Sequence, residues 1–244
     1  MELRKGKQSS PSFRYRFIQG LKVAALVTVI FCAIFGINQF RLSHYFPITT
    51  VRVYGLNHID QKEVQGILLP LVAKGFFSTN VDGIRDRLLQ LPWANDVAVR
   101  RQWPNQIEIM MKEKNAVASW NNEALLSETG ILFLPKQTTY PASLPMFVGP
   151  SGKHIVMLNY FNEINRILMP LHVKISYLEL TSYLTWKVAL SNGIALQIGH
   201  KDVLTRLYHF VKVYPKIIGK HTADVDSIDL RYPNGIAVRW KSPV

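Results

Sequence analysis

From Val23 to Ile37 the chain carries no charge, and only Thr28 and Cys32 are even mildly polar, so apolar side chains would cover every face of a helix. About 20 residues at ~1.5 Å each cross the ~30 Å hydrocarbon core of a bilayer, and the run Leu21 to Phe40 predicts one transmembrane helix. Past Pro47 the pattern changes to short amphipathic elements, none long enough to span. Val51 and Val53 alternate with Arg52 and Tyr54, the period of a half-buried strand, closed by Gly55-Leu56-Asn57. Asp60 followed by Glu63 reads as a capping box for a helix whose apolar face is Val64, Ile67, Leu68 and Leu71 and which runs to Gly75. A second short helix carries Ile84, Leu88 and Leu91 on one face and stops at Pro92. Val97 and Val99, then Ile107, Ile109 and Met111, alternate with their neighbours on either side of the turn Trp103-Pro104-Asn105 and predict two more strands.

The second half reads as a sheet covered by helices. Ala116 to Trp120, Ala124 to Ser127 and Ile131 to Leu134 form a meander with polar turns at Asn121-Asn122 and Glu128-Thr129-Gly130. A proline-punctuated segment from Pro135 to Pro150 leads to a helix near Ile155 to Leu168. Strands follow at Ile175 to Leu180, Trp186 to Leu190 and Ile194 to Ile198, the last two joined by Ser191-Asn192-Gly193, a hairpin turn. Val203, Leu207, Phe210, Val211 and Tyr214 repeat at helical spacing, with Arg206, Lys212 and Lys216 on the remaining surface. The chain closes with a hairpin in which Ile228, Leu230 and Tyr232 precede Pro233-Asn234-Gly235, and Ile236, Val238 and Trp240 follow it. The fold class is therefore α+β.

Charge fixes the orientation of the span. The chain carries 29 Lys plus Arg against 16 Asp plus Glu, a net +13. Arg4, Lys5, Lys7, Arg14, Arg16 and Lys22 crowd before the apolar run against Glu2 alone, which by the positive-inside rule holds the N-terminus in the cytoplasm and places everything beyond about Arg41 outside. A cleaved signal peptide shares the basic start, but the apolar run is near spanning length and no small-x-small cleavage pattern follows it. The single cysteine, Cys32, falls inside the span, so the exported part must hold together by packing without a disulfide, and no zinc site can rest on cysteine.

The order strand, helix, helix, strand, strand directly after one anchor resembles the polypeptide-transport-associated (POTRA) domain. The likeness is carried by ITTVRVYGLNHID, the helix pair and LPWANDVAVRRQWPNQIEIMMKEK. With SWNNEALLSETGILF and DSIDLRYPNGIAVRW added, nearly the whole chain resembles the FtsQ/DivIB family of bacterial cell-division proteins. The organisation then comprises a cytoplasmic basic tail (1–22), a transmembrane helix and short flank (23–44), a POTRA domain (47–115) and a C-terminal β domain with covering helices (116–244). The resemblance implies a non-catalytic inner-membrane scaffold, concentrated at the septum, whose exported domains bind the single-span division proteins FtsB and FtsL and link early with late division proteins. The competing reading is a POTRA-containing component of envelope secretion or outer-membrane assembly, against which the lack of a long transmembrane β-barrel pattern counts.

Chemistry is sparse. Ser-x-x-Lys, Gly-x-Ser-x-Gly and His-Glu-x-x-His do not occur. Gly149-Pro150-Ser151-Gly152-Lys153 resembles half of a phosphate loop, but Phe147 stands where the first glycine belongs and His154 replaces the Ser or Thr, so it reads as a turn. His200, His209 and His221 are spaced by nine and twelve and do not share a helical face. Neither a cofactor nor a small-molecule substrate is expected. Nucleic acid is disfavoured because the densest basic cluster abuts the membrane span, where it serves topology and lipid contact. The last strand, Gly235 to Trp240, has no following element to pair with and predicts an open edge able to accept a partner's strand. The family resemblance places partner contacts there on Arg231, Tyr232, Asn234, Gly235 and Trp240. Tyr232 and Trp240 share an alternating face with Ile228 and Val238, which leaves core and anchor roles both open for them.

Overall fold

The computed structural model describes residues 13–39, 46–232 and 235–241. The first element is a 27-residue helix, α1 (Phe13–Gln39), about 40 Å long at ~1.5 Å per residue. Every side chain from Gly20 to Phe35 is exposed, Val27, Phe31 and Ile34 among them. That stretch is the longest unbroken run of described side chains in α1, and among the described residues no helix is long and apolar enough to cross a membrane.

The next elements are β1 (Thr50–Tyr54), α2 (Gln61–Val72), α3 (Val81–Leu89), β2 (Ala94–Gln102) and β3 (Gln106–Glu113). They form a three-stranded sheet in the order β1-β3-β2, with β1 parallel and β2 antiparallel to β3. The predicted alternation delivers Val97, Ile107 and Ile109 to one face, where they bury against Val64, Leu68, Ile84 and Leu88 of the two helices. Asp60 caps α2 by accepting the Lys62 N–H at 2.9 Å. Glu63, however, does not close a capping box; its carboxylate pairs with Lys136 Nζ at 3.1 Å, a long-range ion pair that sequence spacing does not reveal. Gly55 sits at φ +83°, and a Cβ there would lie 2.0 Å from the Met111 carbonyl oxygen, so the chain can leave β1 along this path only with glycine.

The two ends of this sheet differ. At one end the chain enters, with the Phe76 N–H donating to the Phe46 carbonyl (2.8 Å), the Thr49 N–H to the Asn105 carbonyl (3.0 Å) and Arg101 Nη2 to the Thr79 carbonyl (2.5 Å). At the other end Glu113 gathers the loop after β1, and Trp93 packs edge-on to Phe133 at 5.0 Å while its Nε1–H donates to Thr139 Oγ1 at 2.9 Å. Through Phe133 and Leu125 the core of the first sheet runs into the second.

The second sheet has nine strands in the order β12-β11-β10-β9-β8-β7-β4-β5-β6. They are β4 (Ala116–Trp120), β5 (Ala124–Ser127), β6 (Leu132–Phe133), β7 (Met146–Val148), β8 (Ile175–Leu180), β9 (Trp186–Leu190), β10 (Ala195–Gly199), β11 (Val225–Asp229) and β12 (Ala237–Trp240). Two helices, α4 (His154–Leu168) and α5 (Val203–Ile217), pack their apolar stripes into its core. The segment read as a proline-punctuated link contains β7, which joins β4 to β8 by parallel pairing on both sides. The Gly149 turn is structural. Asn121 and Gly149 exchange hydrogen bonds (3.0 and 3.2 Å), and a Cβ on Gly149 would lie 2.5 Å from Met157 Sδ.

Candidate partner-binding edge

β12 ends the nine-stranded sheet. It pairs antiparallel with β11 through Asp229↔Ala237, Ile228↔Val238 and Ser227↔Arg239, and the register slips before Val225↔Trp240. Among the described residues it pairs on one side only, so its outer N–H and C=O groups form the kind of unpaired row that another strand can extend.

The residues expected to make contacts are distributed unevenly along this edge. Tyr232 is 57% exposed and Trp240 48%, whereas Ile228 is fully buried. The alternation that would place all three on one face breaks for two local reasons. β11 stops at Asp229, so Tyr232 stands beyond the strand, and Trp240 is the last residue of β12, where the pairing ends. Both rings are therefore available at the surface. Gly235 is exposed, and Asn234 lies outside the described residues.

Arg231 is held within the chain. Its Nε donates to both oxygens of Asp229 (2.9 and 3.0 Å) and its Nη2 to Oδ2 (2.6 Å). These bonds hold the Asp229 carboxyl below the ordinary aspartate range, and partial burial opposes them. Arg239 likewise reaches Asp226 at 2.6 Å. Gly199 makes room for this arrangement. It sits at φ +92°, and a Cβ there would come within 3.3 Å of the Arg231 stem and 3.0 Å of Arg206 Nη1.

Beside the edge lies a cavity of about 350 Å³ lined by Arg206, His209, Val213, Ile217, Leu230, Tyr232, Gly235 and Ile236. Four of these come from α5, and sequence reasoning missed His209, Val213 and Ile217 while assigning Arg206 only to the outer surface. The core stripe of α5 is Val203, Leu207, Phe210 and Tyr214. Arg206, His209, Val213 and Ile217 form a second stripe displaced from it by one residue, and the two apolar members on a nominally polar face were the available signal. Arg206 is fixed by donating to the Ile198 carbonyl at 2.8 Å. His221 packs edge-on to Trp240 with ring centres 6.3 Å apart and lies 3.4 Å from Asp224. An exposed strand edge, two surface aromatics and an apolar groove beside them can bind an extended peptide; no nucleophile–base pair accompanies them among the described residues of this edge.

Residues 118–231 match the family model for the C-terminal region of cell division protein FtsQ/DivIB, and residues 46–114 match that for the FtsQ-type POTRA domain. Cell division protein FtsQ of Coxiella burnetii is 36% identical over 186 residues, 76% of this chain and 76% of that protein. The chain belongs to the FtsQ family of cell-division proteins. The FtsQ of Aliivibrio fischeri is 30% identical over 219 residues, covering 89% of this chain and 85% of its own, and that of Xanthomonas campestris pv. campestris is 29% identical over 224 residues, 91% and 80% respectively. As an FtsQ family member the chain is a non-catalytic protein of the division machinery with an FtsQ-type POTRA domain. The matched C-terminal region stops at Arg231, so Tyr232, Gly235 and Trp240 lie just past it.

Proposed function

We propose that this protein is a bitopic inner-membrane scaffold of the divisome that holds its partners through the free edge of β12. The uncharged run from Val23 to Ile37 crosses the membrane with the basic tail in the cytoplasm, and the POTRA domain (47–115) and β domain (116–244) stand outside it. The observation that supports the edge most strongly is the position of β12 at the end of the sheet, with Tyr232 and Trp240 exposed and a groove of about 350 Å³ alongside. A partner strand laid against β12 gains main-chain hydrogen bonds, and alternate side chains reach the groove to set selectivity. Arg231, Tyr232, Asn234, Gly235 and Trp240 are the proposed contact residues. Membership of the FtsQ family supports FtsB and FtsL as the partners, and the scaffold then connects early with late division proteins.

Purification of the full anchored chain from cross-linked cells tests this reading. Recovery of FtsB and FtsL with the intact chain, and their loss when residues 235–244 are removed, is the expected result. Full recovery with the truncated chain would remove the edge-pairing proposal.

A further inference from the structure

We infer that the chain-entry end of the POTRA domain rests in the headgroup layer of the membrane, with Trp103 and Phe77 as its apolar contacts. The inference builds on the proposal that the uncharged run spans the bilayer. Trp103 is 72% exposed at the tip of the β2–β3 turn, and Phe77 is 53% exposed in the loop after α2. The fold brings both to the end where the chain arrives. Phe77 packs edge-on to Phe46, the first described residue after α1, at 5.3 Å, and the Trp103 turn is tied to the start of β1 by the Thr49–Asn105 hydrogen bond. Seven Cα steps separate Gln39 from Phe46, so at ~3.6 Å each the domain begins no more than about 25 Å from the end of the helix.

That tether keeps this end at the bilayer. The opposite end of the sheet, where Glu113 and Trp93 sit, is taken up by packing onto the second sheet, leaving the entry end free. Exposed Lys74, Arg100 and Arg101 flank the two aromatic residues. Glu108 stands between Arg52 and Arg100, which offset it, and exposed Asp82 in the first turn of α3 is set against Lys74 and Arg101. Exposed Trp beside cations is the composition suited to the interface, where the ring sits at headgroup level and the cations meet anionic lipid.

The test uses the full chain with Cys32→Ala, reconstituted in phosphatidylethanolamine and phosphatidylglycerol vesicles containing nitroxide-labelled lipid. A fluorophore is placed on a single cysteine introduced by Ser78→Cys, Ile30→Cys or Tyr183→Cys. Ser78 adjoins Phe77, Ile30 lies in the middle of α1, and Tyr183, 87% exposed, lies between β8 and β9. Quenching by shallow nitroxide at Ser78 should exceed that at Tyr183 by about two-fold or more, and Phe77→Ser with Trp103→Ser should return it to the Tyr183 level at unchanged melting temperature. Equal quenching at Ser78 and Tyr183, with Ile30 strongly quenched by deep nitroxide, would overturn the inference and leave the span intact. An unquenched Ile30 would overturn the span itself, and this inference with it.

Discussion

Glu113, the last residue of β3, reaches back across 55 positions in the sequence to take the His58 backbone N–H at 3.0 Å from each carboxylate oxygen. The same carboxylate accepts the N–H groups of Asn57 (2.8 Å) and Ile59 (3.1 Å) and contacts His58 Nδ1 at 2.8 Å, with its side chain only 5% exposed. Three backbone donors in one loop are thus satisfied by a single side chain. The His58 ring, held by that contact, stacks on Trp93 at 4.2 Å, and Trp93 in turn meets Phe133 of the second sheet. Glu113 therefore organises the junction between the two sheets.

Burial raises the pKa of Glu113, but the hydrogen bonds from Asn57, His58 and Ile59 outweigh it and hold the carboxyl below its ordinary value of 4.5. A depressed folded pKa contributes stability that is fully present above the unfolded value and disappears as pH falls through the folded one. Glu113→Gln should lower stability by about 1–3 kcal/mol near neutral pH. The deficit should shrink as pH drops below ~4.5. Thermal unfolding of both proteins from pH 7 to pH 3 checks this, and a deficit independent of pH would contradict the charged clamp.

Tyr232 and Trp240 are exposed, so they contribute little to the core. Truncating either to Ala should cost about 2 kcal/mol or more in affinity for the partner, as surface aromatic anchors do. The melting temperature should stay within the small range typical of surface substitutions. Calorimetric titration and thermal denaturation of the same variants separate the roles; a lower melting temperature with unchanged affinity would return both residues to the core.

Topology can be read with single cysteines in a Cys32→Ala background. A cysteine replacing Ser10 should resist a membrane-impermeant thiol reagent in intact spheroplasts, and one replacing Asn121 should react. The opposite pattern would contradict the inward basic tail.

The parts of the fold that could be read from the sequence are those with a local period. Alternation in β3 and β9, and the α5 stripe of Leu207, Phe210 and Tyr214, translate directly into burial. β7 escaped because it is a three-residue strand paired in parallel on both sides, set between Pro145 and Gly149-Pro150, too short for any period to develop. The Glu63–Lys136 pair escaped because local capping and a contact 73 residues away draw on the same side chain. At the candidate edge, the terminal place of β12 followed from its position in the chain, but the α5 wall of the groove depends on how the helix lies across the sheet.

Hydrogen exchange of the β12 backbone amides tests the central claim most directly. The full chain would be compared alone and with a saturating soluble fragment of FtsB, following residues 235–241. Amides on the outer side of Ala237–Trp240 should exchange quickly in the free protein and become strongly protected in the complex, because a partner strand supplies the hydrogen bonds that solvent supplied before. Bound partner with unchanged exchange along β12 would contradict strand addition and move the interface elsewhere.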